Sequence, residues 1–261
     1  MRIWFKAIFI TASIAALILF FDAYWFVDKQ NKEAELQAAQ AGNKAAPEAE
    51  SIKLLKDSLF VSISPKNYSN FALRLSSSYE RIGNYDSAAS YKELIANRFP
   101  NEENWKNAGL MYFKAFKNAS GETQELQLAT KAIVCLQKIS LSNSSKEVKL
   151  ALATLYLSYN ESDKAISLLQ EVLATDDVNK EALYALGIHY FQDNNFEKAD
   201  SYLTQLITID SSHINGMYFL ALSKLKLDKQ KEAKMLFEKL KLLDISAEVE
   251  VDIESYLNDI K

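Results

Sequence analysis

An all-α fold made of repeated antiparallel helix pairs is predicted, and three observations predict it. Apolar residues make up 49% of the 261-residue chain, with 11% aromatics, while Gly and Pro number only 6 and 3, a balance that suits long helices joined by short polar turns. In the stretch from Lys180 to His213, Leu183, Leu186, Gly187 and Tyr190 form one apolar stripe at helical spacing. Phe196, Ala199, Leu203 and Leu206 form a second, with Asp193, Asn194 and Asn195 between the two. Small residues then recur at a fixed interval: Ala153, Gly187 and Ala221 lie 34 apart, and so do Ala165, Ala199 and Ala233. A period of this length marks a solenoid, in which each helix pair buries its apolar side against the next.

The chain opens with Arg2 and Lys6, followed by an apolar run and an aromatic cluster at Tyr24, Trp25 and Phe26. Residues 1–27 are expected to form a transmembrane signal-anchor: a helix from Ala7 to Val27 would reach roughly 31 Å at about 1.5 Å per residue, with Trp4 and Trp25 at the two interfaces. Asp22 lies close enough to the exit end for its carboxylate to reach the headgroups. A cleaved signal peptide is the alternative. Phe21 and Ala23 do not provide the small pair it needs, and Ala39 and Ala41 do so only well beyond the apolar run. Basic residues before the span and Asp22, Asp28, Glu33 and Glu35 after it orient the rest of the chain away from the cytoplasm. The expected location is the inner membrane, single-pass, with the C-terminal domain facing the periplasm or cell exterior.

Residues 28–48 are polar and rich in Ala and Gln, broken by Gly42 and Pro47, and read as a linker. In residues 49–68, Ile52, Leu54, Leu55, Leu59 and Phe60 predict one amphipathic capping helix, a degenerate half repeat with Pro65 as its stop. Five units follow over residues 69–247. The first has Ala72, Leu75, Tyr79 and Ala88. The second opens with Trp105, Ala108, Gly109 and Tyr112, but its second small residue, Ala132, arrives late, implying an insertion near residues 117–127. The third and fourth are the most regular, and the fifth has Lys224 where Tyr156 and Tyr190 stood. Residues 248–261 predict a C-terminal capping helix with an acidic outer face.

This pattern resembles the tetratricopeptide repeat, whose period is about 34 residues and whose small residues mark the closest approach of its two helices. The resemblance implies a TPR-type α-solenoid with a non-enzymatic binding role. It also brings to mind single-pass anchored envelope proteins of two kinds, those that accompany the translocon and periplasmic chaperones and those that hold apocytochrome in cytochrome c maturation. By that resemblance the fifth, ninth and twelfth places of each first helix face a partner. The candidate positions are Phe113, Leu157, Tyr184, Ile188, Phe191, Tyr218, Leu222 and Leu225, a lining suited to an amphipathic helix or extended peptide. Packing of first helix against first helix is the competing role for each. The basic and amide residues of the family's carboxylate clamp are replaced by Leu73 and Ser77, Lys106 and Leu110, and Leu150 and Thr154.

No phosphate loop, paired-histidine metal motif or nucleophile turn appears, so no cofactor, metal or small-molecule substrate is expected. A net charge of −4 gives no basic excess for nucleic acid. Cys135, the sole cysteine, falls in an apolar run and reads as a buried hydrophobe; His189 and His213 are isolated. The expected partners are a protein or peptide, plus the membrane through the N-terminal helix. A structural organiser of an envelope complex, working through the convex face and the inserted loop, is the alternative role.

Overall fold

The computed structural model describes residues 46–61, 64–140, 144–243 and 245–259; the segment expected to be an anchor and most of the expected linker lie outside them. Twelve α-helices and no strand occur among the described residues. They are α1 (Ala46–Phe60), α2 (Pro65–Arg81), α3 (Tyr85–Arg98), α4 (Glu102–Lys117), α5 (Glu122–Leu136), α6 (Lys146–Ser158), α7 (Ser162–Thr175), α8 (Lys180–Gln192), α9 (Phe196–Ile209), α10 (Ile214–Lys226), α11 (Gln230–Leu240) and α12 (Ala247–Asp259). No helix among the described residues is long and apolar enough to cross a membrane. The period predicts one continuous run of units, yet the chain divides into two compact units, residues 1–142 and 143–261.

Two prolines act differently from their expected roles. Pro65 does not stop a helix: α1 ends at Phe60, and Pro65 is the first residue of α2. A proline fits there because its missing N–H is one that a first turn cannot pair in any case. Pro47 likewise stands in the first turn of α1, so the helix starts inside the segment read as linker.

Each regular pair is closed by the same turn. Asn160, Asn194 and Asp228, spaced 34 apart, adopt positive φ of 58°, 59° and 58°, and Gly83 does so at 78°. Left-handed backbone is open to Gly and tolerated by Asn and Asp. It lets the next N–H reach back five residues, Asn195 to the Tyr190 carbonyl at 2.8 Å and Lys229 to that of Lys224 at 2.8 Å, satisfying helix-end oxygens. In the third pair Glu161 reaches Tyr156 in the same way at 2.9 Å.

The first helices are capped with equal regularity. Ser145, Asn179 and His213 are one period apart, and each accepts a hydrogen bond from the backbone N–H three residues on. His213 is thus a structural cap, its Nδ1 accepting from the Gly216 N–H at 3.0 Å. His213→Ala should lower the stability of residues 143–261 by about 1 kcal/mol, while His213→Asn, which copies Asn179, should be neutral or stabilising. Urea melts of the three proteins compare them, and equal loss in both variants would show that the ring, not the cap, matters.

Between the helices of a pair, the small positions carry the contact. Gly187 lies so close to α9 that an added Cβ would stand 2.6 Å from both Cγ and Cδ2 of Leu203. Gly109 meets Leu136 in the same way at 2.5 Å, one helical turn beyond Ala132, just as Leu203 lies one turn beyond Ala199. The late Ala132 is therefore in register. The extra residues lengthen the ends of the helices: Gly109 lies eight residues before the end of α4 against five for Gly187 in α8, and Ala132 lies ten residues into α5 against three for Ala199 in α9. Ser76 takes the small position of the first pair, and its hydroxyl donates to the Ala88 carbonyl at 2.9 Å.

Candidate first-helix binding face

The eight positions singled out from the sequence share one property: every one is half-buried. Phe113 lies in the N-terminal unit, on α4, where its ring packs on Phe116 at 6.2 Å. The other seven lie in the C-terminal unit. Leu157 ends the stripe of α6; Tyr184, Ile188 and Phe191 run along α8 with spacings of four and three; Tyr218, Leu222 and Leu225 repeat that spacing on α10. Their neighbours Leu183, Leu186, Met217 and Leu220 point inward and are buried.

Aromatic contacts tie the rungs together. Phe191 meets Phe196 edge-on at 5.6 Å and Phe219 at 5.2 Å, so it clasps α8 to α10 as well as lining the face. Phe219 occupies a sixth place and escaped the sequence reading; an aromatic beside Tyr218 on a first helix is the signal that could have found it. Tyr184 packs on His213 at 4.9 Å. Burial pushes its phenol above the usual tyrosine range, opposed by a hydrogen bond with Asn215.

At the C-terminal end, the chain's own last helix reaches the face. Tyr218, Leu222 and Leu225 pack against the core formed by Met217, Ala221, Ala233, Phe237, Leu240 and Ile253, the last of these from α12. The Tyr218 hydroxyl donates to Asp252 of α12 at 3.4 Å. Burial, reinforced by Tyr256 and Asp252, pushes the Tyr218 phenol up to about 12. Tyr184, Ile188 and Phe191 are thus the rungs clear of α12.

Several charges in this unit are paired. Lys146 meets Asp176 at 2.9 Å and Lys180 meets Asp210 at 3.1 Å, the same pair one period apart. Lys224 joins Asp200 at 2.9 Å and Glu232 at 2.6 Å, and Lys229 joins Asp200 at 3.0 Å. Burial works to raise the Asp200 carboxyl, but the two lysines outweigh it and hold it below the usual range. Lys241 pairs with Glu254 of the acidic α12 at 3.0 Å. Lys224, Lys229 and Lys241 are thus neutralised by acids of the same compact unit.

No cluster able to hold a metal ion occurs among the described residues. Cys135 is buried, and burial raises its thiol to about 12, so it is a hydrophobe and not a nucleophile at neutral pH.

Residues 158–240 match the family model described as Anaphase-promoting complex, cyclosome, subunit 3, a tetratricopeptide-type repeat model. Among solved structures, the crystal structure of MamA protein is 22% identical, covering 66% of this chain and 89% of that one with a TM-score of 0.55. A second, the crystal structure of MamA, is also 22% identical, with 70% and 98% covered and a TM-score of 0.55. MamA 41-end from Desulfovibrio magneticus RS-1 is 18% identical, with 67% and 94% covered and a TM-score of 0.54. At these identities the likeness is one of fold. No curated protein matches the chain. The 34-residue period and the small-residue contacts agree with the family match: the helix pairs within residues 158–240 are similar to repeats of the tetratricopeptide type.

Proposed function

We propose that the chain is a non-enzymatic, membrane-anchored interaction scaffold whose first-helix face in residues 143–261 takes up a peptide or helix of a partner protein. The observation that carries the reading is the half-burial of all seven face positions of that unit. Apolar side chains that serve only as core are buried at the neighbouring places, whereas these keep part of their surface available. An apolar stripe repeated on α6, α8 and α10 is the surface on which an amphipathic segment can lay its own apolar side. Residues 1–27 would hold the scaffold in an inner membrane, with the repeats on the periplasmic or outer side. Envelope protein biogenesis or complex assembly is the process that fits, and retention of apocytochrome is a narrower form of the same role.

Site-specific photo-crosslinking tests it. A crosslinker at Ile188 should give a discrete adduct in native membranes, whereas one at the exposed Met235 of α11 should not. The protein should remain in the pellet after alkaline carbonate extraction. Equal labelling from both positions would remove the face from consideration.

A second reading rests on α5, where Leu126 and Val134 are 56% and 48% exposed and share one side of the helix at a spacing of eight. Such a surface suits a structural organiser that contacts other subunits of an envelope complex outside the first-helix face. Charge introduced at both positions would then disrupt the complex while the Ile188 adduct persists.

A further inference from the structure

We propose that the occupant of the first-helix face is a basic amphipathic helix, with cations placed seven residues apart along one edge of its apolar stripe. This rests on the scaffold reading above and adds the chemistry of the partner. Residues 143–261 hold 13 Lys against 20 Asp and Glu, a formal charge of −7, while residues 46–142 hold 12 Lys and Arg against 10 acids. Residues 146–226, which carry the face, account for 7 Lys and 11 acids of that total, and residues 244–261 for a further six acids against one Lys.

Two of these acids stand on the stripe itself. Glu147 lies three residues before Leu150 on α6, and Glu181 lies three before Tyr184 on α8, so each begins the row that its helix presents. Both are exposed. The lysine beside each is committed elsewhere: Lys146 is drawn to Asp176 and Lys180 to Asp210, at the ends of α7 and α9. Lys149, one turn along α6, is drawn to Glu171 at 2.8 Å. No ion pair of Glu147 or Glu181 occurs among the described residues. The apolar stripe is thus edged by two carboxylates whose neighbouring lysines in sequence pair elsewhere. The third helix continues the row with neutral Asn215, followed by Asp252 at Tyr218.

The spacing of the row sets the spacing of the partner's cations. Neighbouring packed helices lie about 8–10 Å apart. Seven residues of helix advance about 10.5 Å. A helix crossing α6 and α8 with Leu on one side and Lys at positions i and i+7 would bring one ammonium to each glutamate.

Fluorescence anisotropy with the full chain in detergent, corrected against chain-free micelles, tests this with two 18-residue Leu-rich amphipathic peptides: one with Lys at i and i+7, one with Gln there. The Lys peptide should bind about tenfold more tightly than the Gln peptide, and Glu147→Gln with Glu181→Gln should erase that difference. Glu197→Gln, on the exposed side of α9, should leave it intact. Equal binding of both peptides to the wild-type chain overturns the inference while leaving the face reading standing, as does an equal effect of Glu197→Gln, which would reduce the preference to net charge. Failure of both peptides to bind overturns the inference and the face reading together.

Discussion

Truncating Phe237 to alanine should cost residues 143–261 about 3–5 kcal/mol, the usual loss for a buried aromatic. Phe237 is fully buried at the centre of the last core, stacked on Tyr256 at 5.4 Å and meeting Tyr218 edge-on at 6.3 Å. It is therefore the joint between α10, α11 and α12. Chemical denaturation followed by circular dichroism measures the loss. Because Tyr218 owes its raised pKa first to burial, its phenol should also titrate closer to the ordinary range in the variant, which absorbance at alkaline pH reads independently. A cost below about 1 kcal/mol would mean that the last helix contributes little to the fold.

The second large effect is expected at Gly187. Gly187→Val should destabilise the unit by about 1–3 kcal/mol, because the new Cβ would enter the space of Leu203 Cγ and Cδ2 at 2.6 Å and two further methyl groups would follow. The strain is local, so a partner change can relieve it. Leu203→Ala alone should be costly, since that side chain is fully buried. The double variant should be more stable than the sum of the two losses by more than about 0.5 kcal/mol. Strict additivity would mean that α8 and α9 meet elsewhere.

Much of this architecture was legible in the sequence because repetition multiplies a weak signal. One Gly or Ala on a helix says little, but Ala153, Gly187 and Ala221 at equal intervals fix a helix contact, and Gly187 makes it. The turn at Asp193 to Asn195 was legible for the same reason. Pro65 was misread because a proline ends one helix and begins another with equal ease; only the length of α1 decides between them. The division at Ser142 was not legible, since each unit keeps its own local pattern on either side of it. At the candidate face, the resemblance left Tyr184, Ile188 and Phe191 open between a partner face and helix packing, and their half-burial depends on the fold. The reach of α12 to Tyr218 was not legible either, because its ring contacts and its bond to Asp252 depend on how the last helix folds back. His213 was read as an isolated polar residue, although Asn179 and Ser145, one and two periods earlier, mark it as a cap.

The pairing of Lys146 with Asp176 and of Lys180 with Asp210 spans 30 residues each time, less than one period. The blocks 146–179 and 180–213 therefore each carry a helix cap, a small position and both ends of their own ion pair. Removing residues 180–213 would join Asn179 directly to Ile214 and leave α10 with an asparagine cap, no stranded lysine and no stranded aspartate from that pair. That ion pair is thus self-contained, whereas Lys224 and Lys229 would lose Asp200 and Phe219 would lose Phe191, so the cost of gaining or losing a block falls on the contacts made between blocks and not on those made within them.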